Sequence, residues 1–213
     1  MPARIEPGAL PELPTLEYEE ALWRQGMRRP GGVDEAGRGA WAGPVAAAVV
    51  ILPPEAGLEA HLHGVRDSKQ ITPLQRERWA GVIRQVCLGW GVGLASANEI
   101  DTLGILHATH LAVRRALQNL AIAPDHLLTD YLLIPEVDLP QTSLVKGDRR
   151  SLSIAAASVL AKTRRDDLMR EMEQDFPAYG FAQHKGYGTP QHQQAIRNHG
   201  LCPQHRKTFH FMK

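Results

Sequence analysis

The stretch GVDEAGRGAWAGPVAAAVVIL, Gly32 to Leu52, sets two acids after an apolar residue, passes through a loop with three glycines and enters a Val/Ala run. β-Branched residues dominate the flanks and Pro44 blocks a helix from starting deep in the run. Gly32 to Asp34 and Val45 to Leu52 therefore read as strands joined by the loop GRGAWAG, and so short a link makes them an antiparallel pair. In an ideal strand Asp34 and Glu35 point to opposite faces, so both serve one site only if the strand bends or ends there, which the glycines allow. Gly37-x-Gly39-x-x-x-Gly43 is not a dinucleotide loop, because a proline and a strand follow where that motif requires a helix.

Working outward, Thr72-Pro73 opens a helix to about Val86, and Trp90 to Ala97 returns as a third strand. Ser96-Ala97-Asn98-Glu99 is a capping box, followed by a helical apolar stripe from Ile105 to Leu120. His126 to Asp130 and Thr142 to Val145 are short apolar runs, Ser151 to about Phe176 is a long Ala-rich helix, and Gln191 to Asn198 closes the chain as a helix before a basic tail. A meander followed by βαβ-type units predicts an α/β fold with a mixed five-stranded sheet flanked by helices and a small C-terminal helical extension. Residues 1–30 read as a loosely structured leader with one short helix around Glu17 to Gly26, which leaves 31–213 as the working domain.

Composition narrows the class. At 213 residues, 43% hydrophobic and 22% charged, the chain suits one soluble domain. Net charge is only +1, so attraction for nucleic acid must come from local clusters such as Arg149-Arg150 and Arg206-Lys207. Cys87 and Cys202 lie far apart and in no metal-ligand spacing, and the ten histidines lack a CxxC or HExxH frame. No signal peptide or membrane span is visible, and a cytoplasmic location is expected.

Asp130 ends an apolar run, where open α/β sheets gather ligands, and so joins Asp34 and Glu35 at one sheet edge. Helical phase selects a fourth acid: Asp166 falls on the border of the long helix's apolar stripe, while Asp167 faces away with Thr163 and Arg170. Arg165 lands inside that stripe, which a long stem snorkelling to solvent would explain. Four converging carboxylates repel unless cations neutralise them, and oxygen-only ligands select Mg²⁺ or Mn²⁺. Two such ions roughly 3.5–4 Å apart can activate water and stabilise the leaving oxygen of a phosphodiester. Each acid taken alone reads equally well as a solvated turn or a surface ion pair.

GVDEAGRGAWAGPVAAAVVI, RDSKQIT, EIDTLGILHATHLAVRRAL, VKGDRRSLSIAAASVLAKTRRDDLM and YGFAQHKGYGT resemble, in the same order, the motifs of bacterial ribonuclease HII from Gly32 to about Thr189. The resemblance implies an RNase H-like fold and two-metal-ion cleavage of RNA hybridised to DNA, leaving 3′-hydroxyl and 5′-phosphate ends. It assigns the four acids to Asp34, Glu35, Asp130 and Asp166. It also implies that Gly37, Arg38 and Gly39 contact the ribose 2′-hydroxyl and phosphate, that Ser68 and Lys69 hold the backbone, and that Tyr187 packs on a sugar. The substrates implied are RNA–DNA hybrid and duplex DNA containing ribonucleotides, with no obligatory protein partner. One position departs from the family: Tyr131 follows the third acid where the family usually has glycine. A catalytically silent hybrid-binding protein and a DNA resolvase are the rival readings, separated by cleavage of a labelled hybrid and by an all-DNA duplex.

Overall fold

The computed structural model describes Ala3–Ile5, as backbone, and residues 10–211. In chain order the elements are β1 (Ala3–Ile5), α1 (Glu17–Arg24), β2 (Pro30–Ala36), β3 (Val45–Ile51), α2 (Leu58–His61), α3 (Pro73–Val86), β4 (Gly89–Ala95), α4 (Ala97–Gln118), β5 (His126–Asp130) and β6 (Gln141–Leu144). A single 3₁₀ turn at Gly147–Arg149 precedes α5 (Leu152–Asp175), α6 (Phe181–His184) and α7 (Pro190–His199). The sheet order is β1-β6-β5-β2-β3-β4, antiparallel across β2–β3–β4 and parallel across β2–β5–β6–β1. The five expected strands are all present, and the leader adds the three-residue β1 at the edge.

β3 shows how the sheet is covered. Ala48 and Val50 belong to the core under α3 and α5, while Val45, Ala47 and Val49 belong to the core under α4. Two buried faces explain why β3 is apolar throughout rather than alternating. α5 lies so close to β2 that a Cβ at Gly32 would stand 2.2 Å from the Ser153 carbonyl carbon, which only glycine permits. The caps foreseen at Thr72 and Ser96 are complete capping boxes.

The leader is less loose than its composition suggests. Leu16 and Leu22 are buried, and Glu19, fully buried, accepts hydrogen bonds from Ser151 Oγ (2.6 Å), Ser153 Oγ (2.6 Å) and Ser153 N (2.9 Å). α1 thus docks on the N-terminus of α5, where the helix dipole favours an acid. Burial still raises the Glu19 carboxyl above its usual range. Among the described residues no helix is long and apolar enough to cross a membrane.

Candidate active site

The parallel register sets Val33 beside Thr129, so the next residues, Asp34 and Asp130, stand as neighbours toward the carboxyl ends of the two strands. Val33 packs on the α4 side, which turns Asp34 toward α5, and Leu128 packs with Ile154 of α5, which turns Asp130 the same way. β2 runs on through Ala36 before Gly37 (φ 91°) turns the chain, yet the Glu35 carboxylate still acts on both Asp34 and Asp130 at the mouth of the site. There it pairs with Arg38, Oε1 to Nη1 3.0 Å.

Charge density defines the site. Burial raises the Asp34 carboxyl well above the usual carboxylate range, and Glu35, Asp130 and Asp148 push it further. Asp130 is raised by burial and by Glu35 although Gly147 N donates to its Oδ1 at 2.7 Å. Asp148, on the 3₁₀ turn, is pushed up to about 6 by burial and by Asp130 and Asp67. Partial burial pulls the Lys69 ammonium down, but Asp67, Asp34, Asp148 and Asp130 around it carry it above its usual value. Asp67, Asp130, Tyr131, Lys146 and Asp148 line a cleft of about 380 Å³. A larger cavity, about 660 Å³, opens at the other end of β5 around His126 and Pro140, and its lining brings a single acid, Asp138, rather than a cluster.

Asp166 is not part of this cluster. It sits eight residues beyond Ser158 on α5, about 12 Å of helix rise, and is already neutralised by Arg76 (Nη2 to Oδ2 3.1 Å) and Lys162 (Nζ to Oδ1 2.6 Å). Phase identified the inward-facing acid correctly, since Asp166 is buried and Asp167 exposes 38% of its side chain. Phase alone does not say how far along the helix a site lies. The fourth acid at the sheet edge is Asp148, in the Lys146-Gly147-Asp148 turn just ahead of the Ser151 cap. Its position in the short turn that follows β6 is the signal in the sequence.

Of the remaining expected residues, Ser68 and Lys69 border the cluster, while Tyr187 lies farther along α5 beside Lys162 and Arg165. The Ser68 hydroxyl accepts from Ser158 Oγ (2.9 Å), and its carbonyl accepts from Arg76 Nη1 (2.8 Å). Tyr187 lies half-buried with Lys162 Nζ and Arg165 Cζ 5.5 and 5.4 Å from its ring centre. Arg165 does not snorkel. It is fully buried beneath the Gly37–Pro44 loop and donates to the carbonyls of Pro44, Ala42 and Lys185. Tyr131 adopts φ 59°, the left-handed region that glycine occupies without strain.

An all-oxygen donor set, crowded enough to raise its own carboxyls, fits hard divalent cations. Among the described residues no group of three or more His, Cys, Asp or Glu stands as a ready-made cage. The fit therefore rests on donor chemistry and mutual repulsion.

Comparison with known proteins agrees with this architecture. The family model described as Ribonuclease HII matches residues 31–212. A ribonuclease HII of Synechococcus sp. is 53% identical over 196 residues, covering 92% of this chain and 88% of the relative. One from Syntrophotalea carbinolica is 54% identical over 194 residues, covering 91% of each. The crystal structure of the ribonuclease H2 from Pyrococcus horikoshii superposes with a TM-score of 0.69 at 27% identity, over 86% of this chain and 94% of that one.

Proposed function

Because the chain belongs to the ribonuclease HII family, and is thus a nuclease, we propose that it hydrolyses the RNA strand of RNA–DNA hybrids and incises on the 5′ side of single ribonucleotides in duplex DNA. The products are 3′-hydroxyl and 5′-phosphate ends. The observation that carries this reading is the convergence of Asp34, Asp130 and Asp148 beside Glu35 and the Gly37–Gly39 loop. We assign the working domain to 31–213, with α1 as a cap on its longest helix, and a cytoplasmic location.

Asp34, Glu35, Asp130 and Asp148 would hold two Mg²⁺ or Mn²⁺ ions, with Asp148 taking the role expected of Asp166. Bound there, such ions supply an activated water and charge stabilisation for the leaving oxygen. The chain's own groups do the rest. Burial keeps bulk water from screening the acids, so they remain a strong cation trap. Ser68 and Lys69 receive the nucleic-acid backbone, Lys69 being drawn toward the acids until cations displace it. The Gly37–Gly39 backbone, free of Cβ atoms at its two ends, approaches the ribose, and the Tyr187 ring packs against the sugar on its 3′ side. No obligatory protein partner is required for any of these contacts.

The test is cleavage of a labelled duplex carrying one ribonucleotide, with Mg²⁺, Mn²⁺ and chelator in parallel. Metal-dependent incision 5′ to the ribonucleotide, with an all-DNA duplex untouched, is the expected result. Equal cutting of both duplexes would make the protein a general DNA nuclease, and binding without cutting would make it a silent hybrid binder.

A further inference from the structure

The loop Gly37–Gly43 is held from behind by two buried guanidiniums that form no ion pair among the described residues. Arg165 comes from α5, and Arg206 comes from the C-terminal segment that follows α7. Both are fully buried. Arg206 spends its fork on this loop: Nη2 donates to the Gly37 carbonyl (2.7 Å), Nη1 to the Arg38 carbonyl (2.7 Å) and Nε to the Gly43 carbonyl (3.0 Å). Its own amide donates to the Trp41 carbonyl at 2.8 Å, and the flanking segment is pinned by Asp101, which accepts from Lys207 N and Thr208 N. Arg165 lies so close beneath Gly37 that a Cβ there would stand 1.9 Å from its Nε.

Peptide planarity turns these contacts into a statement about the opposite side of the loop. In a trans peptide the C=O of one residue and the N–H of the next point in opposite directions, and the described chain has no cis peptide. Drawing the carbonyls of Gly37 and Arg38 inward onto Arg206 therefore aims the amides of Arg38 and Gly39 outward. Neither amide donates to a protein acceptor among the described residues. A cation on the carbonyl end of a peptide also polarises it and makes its N–H a better donor.

Building on the reading of Gly37–Gly39 as the ribose-reading loop, we propose that Arg206 is a positioning residue for sugar recognition: by clamping the Gly37 and Arg38 carbonyls it presents the Arg38 and Gly39 amides to the 2′-hydroxyl. Arg206 touches no substrate itself, and its effect is on discrimination between ribose and deoxyribose. A fork that satisfies three carbonyls at once cannot be reproduced by the compact ammonium of lysine.

The experiment measures dissociation constants of the unaltered chain, Arg206→Lys and Arg206→Met for a duplex with one embedded ribonucleotide and for the all-DNA duplex of the same sequence, in chelator so that nothing is cut. The unaltered chain should prefer the ribonucleotide duplex. In Arg206→Lys that preference should shrink by about tenfold, the weight of one well-aligned hydrogen bond, with affinity for the all-DNA duplex within about twofold of the unaltered chain's. Thermal melts verify folding, and if Arg206→Met does not fold, the Lys variant alone decides. A preference unchanged in a folded Arg206→Lys, or equal losses on both duplexes, overturns the proposal. If the unaltered chain binds both duplexes alike, the ribose-reading loop itself is wrong and this inference falls with it.

Discussion

Asp166 and Arg76 form an ion pair, Oδ2 to Nη2 3.1 Å, between side chains that are 6% and 8% exposed. The same guanidinium donates to the Ser68 carbonyl, so an acid on α5 braces the loop that receives the nucleic-acid backbone. Removing one member of a buried pair leaves the other charge uncompensated. Asp166→Asn should therefore destabilise the fold by about 3–5 kcal/mol and weaken substrate binding. Asp148→Asn should instead lower turnover on the order of 100-fold or more while the hybrid is still bound. Denaturant melts and saturation kinetics on both variants separate the roles; a stably folded, inactive Asp166→Asn beside an active Asp148→Asn would reverse the assignment.

The repulsion among Asp34, Asp130 and Asp148 is a cost the chain bears when no cation is bound. Mg²⁺ should raise the melting temperature, with a gain of about 2.7 kcal/mol at one hundred times the dissociation constant of a single site. Asp148→Asn without metal should melt above the unaltered chain without metal and gain less from Mg²⁺. Identical metal responses in the two proteins would remove Asp148 from the cation site.

A histidine chain supports the Tyr187 loop. Cys202 N donates to His205 Nδ1 (2.9 Å), His205 Nε2 donates to His192 Nε2 (3.0 Å), and His192 Nδ1 donates to the Tyr187 carbonyl (3.0 Å). Each ring is held neutral: burial, then His184, pushes His192 down to about 4, and burial lowers His205 and His184 as well. Near His184, Glu173 opposes that shift and Lys185 adds to it. The unfolded chain binds these protons near pH 6.5, so the stability they contribute is complete above that pH. It is lost as pH falls from about 6.5 toward 4, where the unfolded state holds more protons. Melts from pH 7.5 to 4.5 should show this decline, and His192→Asn, whose amide can still donate to the Tyr187 carbonyl, should flatten it. An equally steep decline in that variant would place the acid sensitivity elsewhere.

Tyr131, held at φ 59°, carries a Cβ where the backbone is left-handed. Tyr131→Gly relieves a penalty of roughly 1 kcal/mol, so the variant should be more stable by about that amount and retain activity. Denaturant titration checks it; a loss of stability would mean that the ring's contacts outweigh the strain.

Two cations lie about 5.5 Å from the Tyr187 ring centre, Lys162 Nζ and Arg165 Cζ, and so fix its orientation. Tyr187→Ala should lose turnover at a lone ribonucleotide by on the order of tenfold beyond its loss of affinity, and Tyr187→Phe should lose far less. Rates at saturation set against dissociation constants on the same duplex decide this. Equal losses in both would leave Tyr187 a binding residue only.

Local chemistry was enough for much of this molecule. The two strands around the glycine loop, the capping boxes at Thr72 and Ser96, the buried phase of Asp166 and the acids at strand ends are all properties of short spacings, where backbone periodicity and capping act within a few residues. Distances between segments are not short-range properties. Only the packed fold decided that the sheet edge takes its fourth acid from the turn before α5, because the parallel register of β2 and β5 and the start of α5 bring Asp148 to Asp34 and Asp130. The same packing leaves Asp166 about two turns beyond that edge, beside Arg76 of a helix 90 residues earlier in the chain. Nor could periodicity explain Arg165 and Arg206: a buried guanidinium is stable only where carbonyls converge on it, and the carbonyls of the glycine loop, joined at Arg165 by that of Lys185, meet these side chains only once α5 and the C-terminal segment have packed against the loop.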